Sequence, residues 1–154
     1  MSVQIVLGSK SDMKVAEKAI SVLKELGVPY KIAIASAHRT PELVDELVAQ
    51  AEAEVFIAIA GLSAALPGVI AARTHKPVIG VPVSGTLNLD AVLSVVQMPP
   101  GIPVAAVGLD RGENAAILAV QILALKDDTM RDALVKYRER LREKVLRDSK
   151  EVED

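Results

Sequence analysis

A histidine stands directly beside an arginine in the run Ser36–Ala37–His38–Arg39–Thr40. Imidazole is the side chain that titrates unperturbed near neutral pH, so His38 is a candidate proton carrier. Guanidinium offers a planar fork of N–H donors that matches phosphate, so Arg39 is a candidate phosphate ligand. A second run, Gly8–Ser9–Lys10–Ser11–Asp12, joins small hydroxylated residues to the start of an amphipathic pattern. Ser9, Ser11 and the free N–H groups of a helix start can hold an anion. Asp12 would repel a bare phosphate and suits sugar hydroxyls better. The same Ser11 and Asp12 also read as a plain helix cap. The run is not a P-loop, because Gly-Lys-Ser/Thr is missing, and not a dinucleotide fingerprint, because the later glycines are absent.

Five short apolar runs must position these residues. Residues 3–8, 30–35, 55–60, 77–83 and 103–109 are rich in Val, Ile and Ala and read as strands. Helical patterns follow them. One starts at Ser11 or Asp12 and ends at Gly27, and another is capped by Thr40 with Pro41 in its first turn. A short helix lies around residues 66–74, and others span about 89–96 and 113–125. Strands that are apolar throughout, separated by helices, predict a parallel sheet covered on both faces. Right-handed crossovers then give an α/β, three-layer α/β/α sandwich of flavodoxin-like type with a five-stranded parallel sheet.

In such a sheet ligands bind beyond the carboxyl ends of the strands. All five loops there carry small, hydroxylated or charged residues: 8–12, 36–40, 60–68, 84–90 and 110–115. One such loop would be ordinary turn chemistry, whereas five on one edge outline a pocket. His75, in contrast, precedes the fourth strand, lies at the opposite edge and reads as a surface residue.

Composition narrows the function. The 154 residues suit one domain with a real core, and 51% hydrophobic content with 25% charged is globular. A net charge of −2 argues against a general nucleic-acid surface. The lack of Cys excludes thiolate catalysis and cysteine-held metals, and two histidines are too few for a histidine-rich metal site. No signal peptide or membrane-length apolar segment is visible, so a cytoplasmic protein with no membrane partner is expected.

The last segment, 127–154, reads as an extension of the flavodoxin-like core of residues 1–126 and not as a second domain. Met130, Leu134, Tyr137, Leu141 and Val145 fall on one helical face. From Arg131 to Lys150 there are eight Lys or Arg and four Asp or Glu, which reads as a solvated outer face and not as a recognition helix. A sixth helix on a complete sandwich has few places to bury its stripe, so it is expected to pack on a neighbouring subunit in a homo-oligomer.

Taken in order, "GSKSD", "SAHRTP", "AG…ALPG", "PVIGVPV", "VQMPPGIPV" and "ENAAILAVQILAL" resemble the N5-carboxyaminoimidazole ribonucleotide mutase and aminoimidazole ribonucleotide carboxylase family of purine biosynthesis. The resemblance covers nearly the whole chain and implies a flavodoxin-like core and an octamer. It implies that Ser9, Ser11, Asp12, Ser36 and Arg39 hold a ribonucleotide, with His38 as general acid/base. Carbamate on the exocyclic nitrogen would leave as CO2, remain trapped, and recombine at ring carbon C4. No metal, biotin, ATP or other cofactor is needed. Gly61, Ser63, Ala65 and Leu66 would form the small dry cavity for CO2, and Ser84, Gln97 and Met98 would line the base. Mutases usually carry a histidine where Ala65 stands, and this loop mixes mutase and carboxylase features. The chain as a whole is closer to the mutase branch, with the carbamate as donor, and the direct carboxylase using free CO2 is the alternative.

Two other readings use the same scaffold. A similar domain carboxylates a pyridinium nucleotide in making a nickel-pincer cofactor. A non-catalytic flavodoxin-fold module would sense a ribonucleotide without turning it over. A phosphoacceptor receiver is excluded, because Asp12 has no acidic partner after the third strand.

Overall fold

The computed structural model describes residues 1–153. Five strands, β1 (Val3–Leu7), β2 (Tyr30–Ile34), β3 (Val55–Ala60), β4 (Val78–Pro82) and β5 (Ala105–Ala106), form one parallel sheet in the order β2-β1-β3-β4-β5. Six helices flank it: α1 (Met13–Glu25), α2 (Pro41–Gln50), α3 (Leu66–Ala71), α4 (Asn88–Val96), α5 (Gly112–Leu123) and α6 (Asp128–Glu153). This is the flavodoxin-like sandwich expected from the strand–helix alternation.

Sequence pattern follows position in the sheet. The three inner strands β1, β3 and β4 are buried at every residue, as both of their faces are covered. One face packs on α1, α5 and the start of α6 through Val15, Ala19, Leu23, Ala116 and Val120. The other packs on α2, α3 and α4 through Val44, Val48, Ile70, Ala91 and Val95. Gly112 lets α5 approach α1, for a Cβ there would meet the Val15 carbonyl oxygen at 2.1 Å. Gly80 does the same for α4, with Val95 Cγ1 at 2.5 Å from its virtual Cβ.

The edges depart from expectation. Lys31, Ile32 and Ile34 of β2 are exposed, so an apolar strand is not a covered strand here. The strand expected over 103–109 shrinks to Ala105–Ala106. Pro103 has no N–H to donate, and beyond the strand Val107 N donates to Gly80 O and Asp110 N to Pro82 O in irregular continuation.

The final helix divides. Met130, Ala133, Leu134 and Tyr137 pack against the chain's own core, which the expected lack of room did not foresee. Beyond them Leu141, Val145 and Leu146 are exposed. No helix is long and apolar enough to cross a membrane among the described residues.

Candidate active site

The β1–α1 loop leaves the sheet at Gly8, whose N–H donates to Ile59 O at 3.0 Å and so ties it to β3. The chain then makes a 3-10 turn over Lys10–Asp12 before α1 begins. Ser9 caps this turn, its Oγ accepting from Ser11 N at 3.3 Å and from Ser11 Oγ at 3.0 Å. The alternative of a plain cap at Asp12 does not hold. Asp12 precedes α1 but makes no side-chain cap bond, and it is 6% exposed.

Burial pushes the Asp12 carboxyl above its ordinary value. The Ser11 hydroxyl, a backbone bond in the Ser9 turn and the Arg39 charge pull the other way without cancelling it. The carboxylate is thus sunk beside the Ser11 hydroxyl, which donates to its Oδ1 at 3.3 Å.

The β2–α2 loop faces it. Thr40 occupies the cap position of α2 but makes no cap bond. Its hydroxyl instead accepts from Ser36 N at 2.9 Å and donates to Ser36 O at 3.3 Å, closing the turn that carries His38. Arg39 is fixed inside this turn. Its backbone N–H and Nε both donate to Ser36 Oγ at 3.3 Å, and one terminal nitrogen donates to Gly8 O at 3.1 Å. The guanidinium is thus held across two loops with donors to spare. His38 is exposed, and its ring makes no hydrogen bond among the described residues, which leaves both nitrogens open to a ligand.

These loops and the β3–α3 loop enclose a cavity of about 370 Å³. Ser9, Ser11, Asp12, Ser36, His38, Arg39, Gly61, Ser63 and Leu66 all line it, joined by Gly8, Ala37, Ala60 and Leu62. The last four were missed as individual residues, although each lies inside a chemically marked loop; small size gives them no signal of their own. One wall is cationic through Arg39, the floor is acidic through Asp12, and the third wall is small and apolar. Such a cavity fits a phosphorylated sugar carrying a compact polar base.

Four expected residues stand outside that lining: Ala65, Ser84, Gln97 and Met98. Ala65 leads into α3 while Ala64 beside it is buried. Met98 abuts α3, its Sδ 3.1 Å from a virtual Cβ on Gly68, and Gln97 is exposed. Ser84 is exposed on the β4–α4 loop, whose first residues are anchored by Asp110 and Asn88. No cluster of His, Asp or Glu that could hold a metal occurs among the described residues. A larger cleft of about 660 Å³ lies at the opposite edge of the sheet, around Arg73–Val78 and Gly101–Pro103, and there His75 is exposed as expected.

Comparison with known proteins agrees with this geometry. The family model described as AIR carboxylase matches residues 2–144. The N5-carboxyaminoimidazole ribonucleotide mutase of Methanocaldococcus jannaschii is 60% identical over 151 residues, covering 97% of this chain and 96% of its own. A probable N5-carboxyaminoimidazole ribonucleotide mutase of Methanobrevibacter smithii is 54% identical over 154 residues, and the chain spans 45% of that longer relative. Among solved structures, Treponema denticola PurE superposes with a TM-score of 0.89 at 34% identity, over 99% of this chain and 98% of the other.

Proposed function

Because the chain belongs to the AIR carboxylase family, we propose that its carboxyl-edge cavity isomerises N5-carboxyaminoimidazole ribonucleotide to the 4-carboxy isomer, as a mutase of purine biosynthesis. The observation that carries the site assignment is the convergence of His38, Arg39 and Asp12 on one cavity from two separate loops. Arg39, tethered to Ser36 and Gly8, takes the phosphate. Ser9 and Ser11 at the helix entry share that charge, and Asp12 accepts from the ribose hydroxyls.

The chemistry then balances without an external proton. The carbamate C–N bond breaks, CO2 leaves, and the electron pair stays on the exocyclic nitrogen, which takes a proton from the imidazolium of His38. C4 attacks the trapped CO2 and forms a C–C bond. The C4 proton passes to the neutral imidazole, which restores ring aromaticity and the starting charge of His38. The small Gly61 and Ser63 leave room for CO2 beside C4, and the apolar Leu66 closes that corner against water. Ser84, Gln97 and Met98 would approach the base only if their loops fold over the cavity.

Ala65 carries the second reading. The loop it occupies has no imidazole, so nothing in it distinguishes a bound carbamate from free CO2 as donor. Two reactions followed by absorbance decide it. One starts from N5-carboxyaminoimidazole ribonucleotide without added CO2, the other from aminoimidazole ribonucleotide with high bicarbonate. Turnover of the first is expected; turnover only in the second would make the protein a direct carboxylase, and turnover in neither would leave a ribonucleotide sensor.

Leu141, Val145 and Leu146 are between 48% and 66% exposed. Leu141 and Val145 continue the apolar face of α6 in the open, which fits burial on a neighbouring copy, and the cytoplasm is the expected location. An octamer is the expected assembly, and a monomeric mass by light scattering would overturn it.

A further inference from the structure

Asp110 is the one non-glycine residue with positive φ among the described residues, at 58°. Left-handed backbone costs an ordinary side chain, and Asp and Asn tolerate it best. Its surroundings explain why it is held there. Its N–H donates to Pro82 O at 2.9 Å, at the end of β4. Its carbonyl accepts from Lys18 Nζ of α1 at 3.0 Å. Its Oδ1 accepts from Ser84 N at 2.8 Å, the first residue of the β4–α4 loop. Three separate elements therefore meet on one strained residue outside the cavity lining.

The connection to the site runs through β4. Val83 N donates to Ala60 O at 3.0 Å, and the Val83 carbonyl oxygen lies 3.8 Å from a virtual Cβ on Gly61. Ala60 and Gly61 both line the cavity. Asp110 thus grips the residue next to the one that backs the cavity's third wall. The following N–H, of Gly85, is taken by Asn88 Oδ1 at 2.8 Å, so the loop is fixed at two successive amides.

We propose that Asp110 is a positioning residue for the isomerisation: its carboxylate holds Ser84 N, and with it the β4–α4 loop and the Ala60–Gly61 wall, in the geometry that binds substrate. This rests on the mutase reading of the cavity. The role belongs to the acceptor oxygen and not to the charge or to the backbone strain alone. Three variants separate these. Asp110→Asn keeps an acceptor and tolerates the left-handed backbone, Asp110→Gly relieves the backbone and loses the acceptor, and Asp110→Ala loses both.

The test is steady-state turnover of N5-carboxyaminoimidazole ribonucleotide by the full chain, with amide hydrogen exchange at Ser84 and thermal melting alongside. Asp110→Gly and Asp110→Ala should both raise KM by about five- to tenfold with a smaller change in kcat, about what one lost hydrogen bond is worth. Exchange at Ser84 should accelerate in both, and Asp110→Asn should restore KM to within about twofold and slow that exchange again. A KM unchanged in Asp110→Gly, or an Asp110→Asn variant as impaired as Asp110→Ala, would overturn the proposal. Impairment that tracks melting temperature alone, with Asp110→Gly behaving as wild type, would reduce Asp110 to a structural role. If the wild-type chain turns over neither substrate, the mutase reading fails instead. An unchanged Ser84 exchange rate in Asp110→Gly would then still overturn the tether.

Discussion

The two edges of the sheet each carry a histidine, an arginine and a cavity, and they are not equivalent. At the amino edge, Arg73 is bound to the Asp45 carboxylate and to Val69 O, and Lys76 Nζ donates to Ala51 O at 2.7 Å. These cations are occupied in closing helix ends, where carbonyls carry partial negative charge. At the carboxyl edge, Arg39 is held by neutral oxygens of Ser36 and Gly8, so its charge remains available to a ligand. Helix starts are directed here, which favours anions. The cleft at the amino edge is nearly twice as large, about 660 against 370 Å³. On the proposed assignment volume is a poor guide to the site, and uncommitted charge on tethered side chains is a better one.

Matched substitutions at the two edges test this contrast. The largest effect is expected at the histidines. His38→Ala should lower kcat by about 10²–10⁴-fold, the usual worth of a general acid/base, while substrate still binds. His75→Ala should leave kcat and KM unchanged; an equal loss at both positions would erase the distinction between the edges.

A smaller effect is expected at the arginines. Arg39→Lys keeps the charge and loses the planar fork, and should raise KM by about tenfold or more. Arg73→Ala should change stability by no more than about 1 kcal/mol, because its pair is solvent-exposed, and should leave KM alone. Denaturant melts and kinetics on both variants check this, and a KM effect at Arg73 would assign the amino-edge cleft a role in binding.

The smallest effect concerns Asp12 and appears in stability against pH. Its folded-state pKa lies above the unfolded value of about 3.8, because burial disfavours the charged form. Its contribution to stability is then fully present below the unfolded pKa and is lost as pH rises through the folded one. Asp12→Asn should remove that loss, so the variant should gain on wild type as pH is raised from 3 to 7, while its substrate affinity falls. A variant that loses stability relative to wild type over that interval would show that the carboxylate supports the fold rather than the ligand.

Much of this was legible in the residues themselves. Gly27, with φ of 68°, ends α1 where the pattern placed it, since only a residue free of a Cβ takes that backbone cheaply. Inner strands announced themselves as apolar runs, broken only by the buried Gln4 of β1, because both of their faces are covered. Edge strands did not: β2 is apolar apart from Lys31 yet half-exposed, and β5 is far shorter than its sequence suggests. Exposure at an edge depends on what lies beside the strand, which no local pattern records. The same limit applies to α6, whose stripe reads as continuous although only its first turns meet the chain's own core.

For the site, sequence by itself determined the residue types and the loops that carry them. Parallel topology sends those loops to one edge, so His38, Arg39, Ser9, Ser11 and Asp12 are grouped by the strand–helix alternation alone. Tertiary structure decided which members share a cavity and in what state. It left Ala65, Ser84, Gln97 and Met98 outside the lining, buried Asp12, clamped Arg39 to Ser36 and Gly8, and set Asp110 in left-handed backbone under the β4–α4 loop. Hydrogen bonds between residues such as Asp110 and Ser84 or Arg39 and Gly8 join loops far apart in the chain. Their partners are fixed by packing distance and not by local spacing, so no sequence pattern could carry them.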